Sequence, residues 1–239
     1  MALPPHTLAH WQAELASGRT RSRVLVEQAL EAASTGSESR ATFVQVHLDA
    51  ARATADAVDR MRGAGVPLGP LAGIPLSIKD LFDEAGQVTR AGSRVLNDAA
   101  PAAQDSLVVQ RLRAAGAVIV GRTNMTEFAY SGLGLNPHYG TPRNPWDRAT
   151  GRIPGGSSSG AAVSVTDGMA AAAIGTDTGG SVRIPSALCG LTGFKPTAAR
   201  VPMDGVLPLS PSLDSVGPLA RSVACCALLD AVLAGEAPR

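Results

Sequence analysis

Residues 154–197 read PGGSSSGAAVSVTDGMAAAAIGTDTGGSVRIPSALCGLTGFKPT, and the rest of the chain is interpreted around them. The stretch holds two glycine–serine loops, Gly155-Gly156-Ser157-Ser158-Ser159-Gly160 and Gly179-Gly180-Ser181, separated by an alanine-rich run. Glycine serves where the backbone takes positive φ or approaches another group closely, and serine puts a hydroxyl on the loop. Two such loops point to a site that presents hydroxyls and backbone N–H groups at one spot. A flexible linker has a similar composition, but the neighbours are wrong for one. Ala170–Ile174 is an apolar run suited to a buried strand, and Val182, Ile184, Leu188 and Leu191 are too apolar for a solvated tether.

The surrounding chain of 239 residues is long enough for one substantial core or two small domains. With 45% hydrophobic and 17% charged residues it belongs with globular proteins. A net charge of +1 and an aromatic content of 3% give no basis for nucleic-acid binding. No apolar run approaches the roughly 20 residues of a membrane span, and MALPPHTLAHWQ lacks the basic-then-apolar pattern of a secretory signal. Cys189, Cys225 and Cys226 form no CxxC pair and read as reduced, buried small residues of a cytoplasmic protein. His6, His10, His47 and His138 lack metal-ligand spacing, so no metal or other cofactor is expected.

Upstream, residues 1–65 read as a helical region packing on a core that spans 66–239. Thr20 or Ser22 caps one helix, with Val24, Leu25, Leu30 and Ala33 among its apolar positions, and a second runs from about Leu48 to Met61. After Pro67, Gly69 and Pro70 comes a strand-like segment, Leu71–Phe82. Asp105 caps a helix running through Ala115, followed by a short buried strand, Ala117–Val120. Residues 131–154 form a long ordered loop, a kind that is often functional. Ser159 to about Asp167 makes a small-residue helix, and Ser222–Leu233 a capped apolar one. Helices alternating with buried strands define an α/β fold class.

The chain has only two lysines, Lys79 and Lys195, among 19 arginines. Lysine loses its proton when buried whereas arginine does not. Lys79 sits in the apolar segment on the strand face shared by Ser77 and Leu81. Desolvation there suits it to act as a base; a snorkelling or carboxylate-paired lysine is the other reading.

The serine loops match no phosphate-binding motif: Gly-Lys-Ser/Thr and G-x-G-x-x-G are both absent. Gly156–Gly160 does satisfy G-x-S-x-G with Ser158 at its centre. An α/β-hydrolase elbow, however, needs its histidine downstream, and the last histidine here is His138. The S-x-x-K spacing is missing too, since Leu76 and Thr192 precede the lysines by three. A serine driven by a lysine over a longer path, through a second serine, remains. Gly179 and Gly180 would offer N–H groups to a tetrahedral oxyanion.

The run GGSSSG…GTDTGGSVRIPSALCGLTGFKPT resembles the signature of the amidase signature family of serine hydrolases. The segments PLAGIPLSIKDLF, AGAVIVGRTNMTEF, NPW and SLDSVGPLARSV resemble it as well, in the family's order, from about residue 20 to 233. The resemblance implies a central mixed sheet flanked by helices and a Ser–cis-Ser–Lys triad. Lys79 would be the base, Ser157 the bridging serine behind a cis peptide, and Ser181 the acylated nucleophile. Thr178, Gly179 and Gly180 would shape the oxyanion hole, while Ser158, Asp177 and Arg183 support the loops and Lys195 is structural. The implied reaction is hydrolysis of a carboxamide to a carboxylate and ammonia or an amine.

Members of that family are usually about twice as long as these 239 residues, so the fold is expected to be cut short at its C-terminal end. The expected partners are a small-molecule amide and either a second copy in a homodimer or a chain supplying the missing C-terminal half. Two alternatives accompany this reading. One is an amidase-type subunit of a tRNA-dependent amidotransferase, and the other a non-catalytic truncated family member.

Overall fold

The structure, a computed structural model, describes residues 2–237. In chain order the elements are α1 (Leu8–Ala16), α2 (Ser22–Thr35), α3 (Ser39–Thr42), β1 (Phe43–Val46), α4 (Leu48–Gly63) and β2 (Pro75–Lys79). Then come α5 (Leu107–Ala114), β3 (Val118–Thr123), α6 (Ser159–Thr166), β4 (Ala172–Asp177), α7 (Arg183–Leu188), β5 (Thr192–Gly193), β6 (Ser215–Ala220) and α8 (Val223–Ala234). The strands form one sheet in the order β1-β3-β2-β4-β6-β5. β2 pairs parallel with β3 and β4, whereas β1, β6 and β5 join antiparallel. The sheet is mixed and flanked by helices, the α/β class that the resemblance implied.

β2, β3, β4 and β6 are buried along their whole length. Parallel strands covered on both faces read as continuous apolar runs, and VIV in β3 does so. Alternation along β2 sends Leu76 and Ile78 into the main hydrophobic core. Ser77 faces the other way and meets Ser164 of α6, Oγ to Oγ, at 2.8 Å. Gly160, in the first turn of α6, lets that helix press against the end of α3: a Cβ there would lie 2.3 Å from the Thr42 carbonyl oxygen.

The helix ends show where local sequence competes with tertiary partners. α2 is not capped by Thr20 or by the Ser22 hydroxyl. The Asp59 carboxylate of α4 accepts from the Ser22 and Arg23 N–H groups at 2.8 and 3.0 Å, leaving Val24 exposed. At α5 the cap is Ser106, whose Oγ accepts from Val109 N–H, while the Asp105 carboxylate accepts from Ala85 N–H at 2.8 Å. α8 has the expected Ser222 cap and closes on Gly235 in the left-handed conformation, φ 78°.

Two further differences concern the sheet. Phe43–Val46, inside the region read as helical, is an edge strand paired with Thr123–Gly121. β4 begins two residues later than expected and runs on through Asp177. Ala170 is used instead in the turn after α6, its N–H donating to the Ser164 carbonyl at 3.0 Å.

A buried ion pair lies beside the end of β2. Arg122 Nε of β3 donates to Asp80 Oδ1 at 2.8 Å with both side chains fully buried. The other oxygen, Asp80 Oδ2, accepts from Gly92 N–H at 3.1 Å. The residue after Lys79 is thus held by its own partners and does not pair with the lysine.

Candidate active site

Lys79 ends β2 and is completely buried. Its Nζ is 2.7 Å from Ser157 Oγ and 2.9 Å from Thr176 Oγ1, donating to both hydroxyls when charged. No carboxylate forms an ion pair with it among the described residues. Burial in this neutral cage drives the ammonium pKa from 10.5 down to about 7, against the opposing pull of the Asp177 and Asp214 charges. The surface-reaching or carboxylate-paired lysine, the other reading of this position, is not what the described residues show.

Ser157 lies in the loop that leads into α6, and the Gly156–Ser157 peptide is cis. Thr126 N–H donates to the Ser157 carbonyl at 3.0 Å, and Gly156 N–H to the Gly132 carbonyl at 2.8 Å. The two serine loops are stitched by their backbones, since Ser158 N–H donates to the Ser181 carbonyl at 3.2 Å. Ser158 is fully buried and its hydroxyl donates to the Thr176 carbonyl at 3.4 Å, a supporting contact. Ser181 is 7% exposed, and its Oγ makes no hydrogen bond to Ser157 in this conformation.

The second loop folds around Asp177. Its Oδ1 accepts from Gly180 N–H at 2.7 Å, and its Oδ2 from the N–H groups of Val182 and Arg183 at 3.1 and 3.2 Å. The Arg183 guanidinium closes the ring from outside, with Nη2 and Nε 2.9 and 3.0 Å from the two oxygens. Burial works to raise the Asp177 carboxyl, but Arg183 and the backbone donors outweigh it and hold it below the usual carboxylate range. Gly180 has φ 128°, a conformation that a side chain would strain. One expectation changes here: the Gly180 N–H is spent on Asp177 and is not available to an oxyanion. Among the described residues, the N–H groups of Thr178, Gly179 and Ser181 carry no hydrogen bond.

Two site residues escape a reading of the sequence. Thr176 holds Lys79 from inside GTDTGG, where the glycines and Ser181 carry the more obvious signal. Asp214 accepts from the Thr178 hydroxyl, and its second oxygen accepts from Leu209 and Ser210 N–H, both at 2.9 Å. Its only sequence signal is its place in SLDSVGP. Lys195 donates to the Pro196 carbonyl at 2.6 Å, a local contact. Among the described residues no group of His, Cys, Asp or Glu is arranged to hold a metal, and no helix is long and apolar enough to cross a membrane. The three cysteines are free and buried.

A buried lysine at the end of a strand, with two glycine–serine loops beside it, points to a class, and comparison with known proteins names it. Residues 24–239 match the Amidase family, and the chain belongs to that family. It is 45% identical over 98% of its length to the glutamyl-tRNA(Gln) amidotransferase A-type polypeptide of Synechococcus sp. (strain CC9605), covering 47% of that protein. To AtzE of Pseudomonas sp. (strain ADP), a component of 1-carboxybiuret hydrolase, it is 45% identical, over 94% of this chain and 49% of that one. The crystal structure of native peptide amidase from Stenotrophomonas maltophilia superposes with a TM-score of 0.87 at 37% identity, covering 97% of this chain and 48% of that one. The chain therefore spans about half the length of the relatives it matches.

Proposed function

We propose that this chain carries the acyl-transfer machinery of an amidase that hydrolyses a small-molecule carboxamide to a carboxylate and ammonia or an amine. The observation that carries the reading is Lys79 Nζ, buried and lacking an ion-pair partner, at 2.7 Å from Ser157 Oγ. A lysine with a pKa of about 7 is substantially neutral at physiological pH, and its lone pair then accepts a proton from the Ser157 hydroxyl. Ser157 in turn takes the Ser181 proton as Ser181 Oγ bonds to the amide carbon. This completes a Ser–Ser–Lys relay, which requires the Ser181 side chain to rotate onto Ser157.

The carbonyl π pair moves to oxygen, where the unengaged N–H groups of Thr178, Gly179 and Ser181 meet it. When the tetrahedral intermediate collapses, the C–N bond breaks and the leaving nitrogen receives the proton held on Lys79, relayed through Ser157. Water then attacks the acyl-enzyme by the same relay, releasing the carboxylate and restoring the Ser181 hydroxyl. A fluorophosphonate probe tests the assignment. It is expected to label Ser181, and Lys79→Ala is expected to abolish labelling; a folded wild-type chain that stays unlabelled overturns it.

A second reading follows from the relative named as part of an amidotransferase, 45% identical and twofold longer than the matched region. In that case the same site would release ammonia only with another chain present. Dependence of amide hydrolysis on an added partner favours this reading over a self-sufficient amidase.

A further inference from the structure

Residues 206–214 connect the two halves of the site from behind. At one end, the isolated bridge Phe82–Val206 and the Leu207 N–H donating to the Leu81 carbonyl at 2.9 Å fasten the segment just beyond Lys79. At the other end, Asp214 immediately precedes β6 and reaches Thr178, one residue past β4. Leu213 and Asp214 N–H both donate to the Ser210 carbonyl, at 3.0 and 2.9 Å, so the turn that carries Asp214 is itself ordered. Asp214 is 6% exposed and, among the described residues, its carboxylate accepts only from neutral groups: one hydroxyl and two backbone N–H groups.

We propose that Asp214 is a positioning residue of the acyl-transfer site, fixing Thr178 through its side chain and holding a buried carboxylate with no cationic partner among the described residues beside the second serine loop. This rests on the reading of the two loops as an acyl-transfer site. The Thr178 side chain is the handle by which the strap holds the start of the 178–181 loop, and with it the unengaged N–H groups of Thr178 and Gly179. An oxyanion donor is effective only when held in place before charge develops.

The charge has a separate effect. Two carboxylates act on Lys79: Asp177 from β4 and Asp214 from the strap. On its own strand, the neighbouring Asp80 is neutralised by Arg122. Asp177 is neutralised by the Arg183 guanidinium at 2.9 Å, whereas Asp214 has no cationic partner among the described residues. Asp214 therefore supplies the less compensated of the two fields, and that field favours the protonated lysine. It opposes desolvation and keeps the base strong enough to return its proton to a leaving nitrogen.

Asp214→Asn and Thr178→Val separate the two effects. D214N removes the charge and weakens the hold on Thr178, whereas T178V cuts the contact and leaves the charge. In D214N the Lys79 titration, followed by NMR of a ¹³Cε-labelled lysine, should move down by about half a pH unit or more. The fluorophosphonate labelling rate of Ser181 should fall about tenfold in both variants, and the acid limb of its pH profile should shift down in D214N alone. A folded D214N whose Lys79 titration stays at the wild-type value overturns the proposal. So does labelling at the wild-type rate in both variants. A wild-type chain that is never labelled, but whose Lys79 titration moves in D214N, overturns the acyl-transfer reading and keeps the electrostatic role of Asp214.

Discussion

Lys79 and Asp80 are consecutive residues with opposite electrostatic fates. Asp80 meets a guanidinium at 2.8 Å, while Lys79 meets two hydroxyls and, among the described residues, no ion-pair partner. The strand sends the two side chains to different sides, so the charge that would otherwise pin the lysine in its protonated state is consumed by Arg122. A lysine beside a carboxylate in sequence is thereby freed from it in space.

The first prediction concerns pH. The lysine must be neutral to accept a proton, and its pKa is about 7. The Ser181 labelling rate should rise about tenfold per unit below that value and level off above it. Labelling rates measured from about pH 5 to 9 check this; an acid limb centred near 10 would show that the lysine titrates as an exposed amine.

The same depressed pKa predicts a stability slope. Between about 7 and 10.5 the unfolded chain binds a proton on Lys79 that the folded chain does not. Stability therefore rises with pH through that window, and below it the full cost of burying the charge is present. Lys79→Met should be more stable than wild type at neutral pH by about 1–3 kcal/mol, with the difference shrinking as pH approaches 10. Urea unfolding at several pH values measures it.

The two loop serines should differ in how completely they are needed. Ser181→Ala removes the proposed nucleophile, so stable adduct formation should vanish. Ser157→Ala leaves the nucleophile but removes the proton path, and labelling should slow by about 10²–10⁴-fold without disappearing. Time courses by intact-protein mass spectrometry distinguish loss from slowing.

Asp177→Asn should loosen the loop that bears Ser181. Three backbone N–H groups and the Arg183 side chain lose a charged acceptor. Arg183 is half exposed, so solvent discounts its share of the ion pair. The backbone donors carry the rest, for a loss of about 1–3 kcal/mol. Denaturant unfolding, with amide exchange at residues 180–183, reads both the stability and its location.

What is legible in the sequence is chemistry carried by unusual residues in unusual settings. A lysine in an apolar strand of an arginine-biased chain is visible without partners, and so are serines flanked by glycines. Lys79 and Ser157 do meet in the folded chain, from positions 78 residues apart. Thr176 and Asp214 are not legible because their roles exist only where the chain returns on itself. Asp214 lies 36 residues from the Thr178 it holds, and nothing local marks it.

The same cause hides β1. Its four residues carry no alternation of their own, and their strand character comes from pairing with β3. Gly175–Asp177 likewise lie beyond the apolar run Ala170–Ile174, and β6 supplies their ladder partners.

The burial of Lys79 has a practical corollary. The chain holds one other lysine, Lys195, at the half-buried start of the segment after β5. Reagents aimed at side-chain amines will meet that residue and not the buried Lys79. Apart from any α-amino group, crosslinkers, dyes and activated supports thus have a single address within these 239 residues. A chain immobilised through it would share one orientation, with the reactive loops chemically untouched.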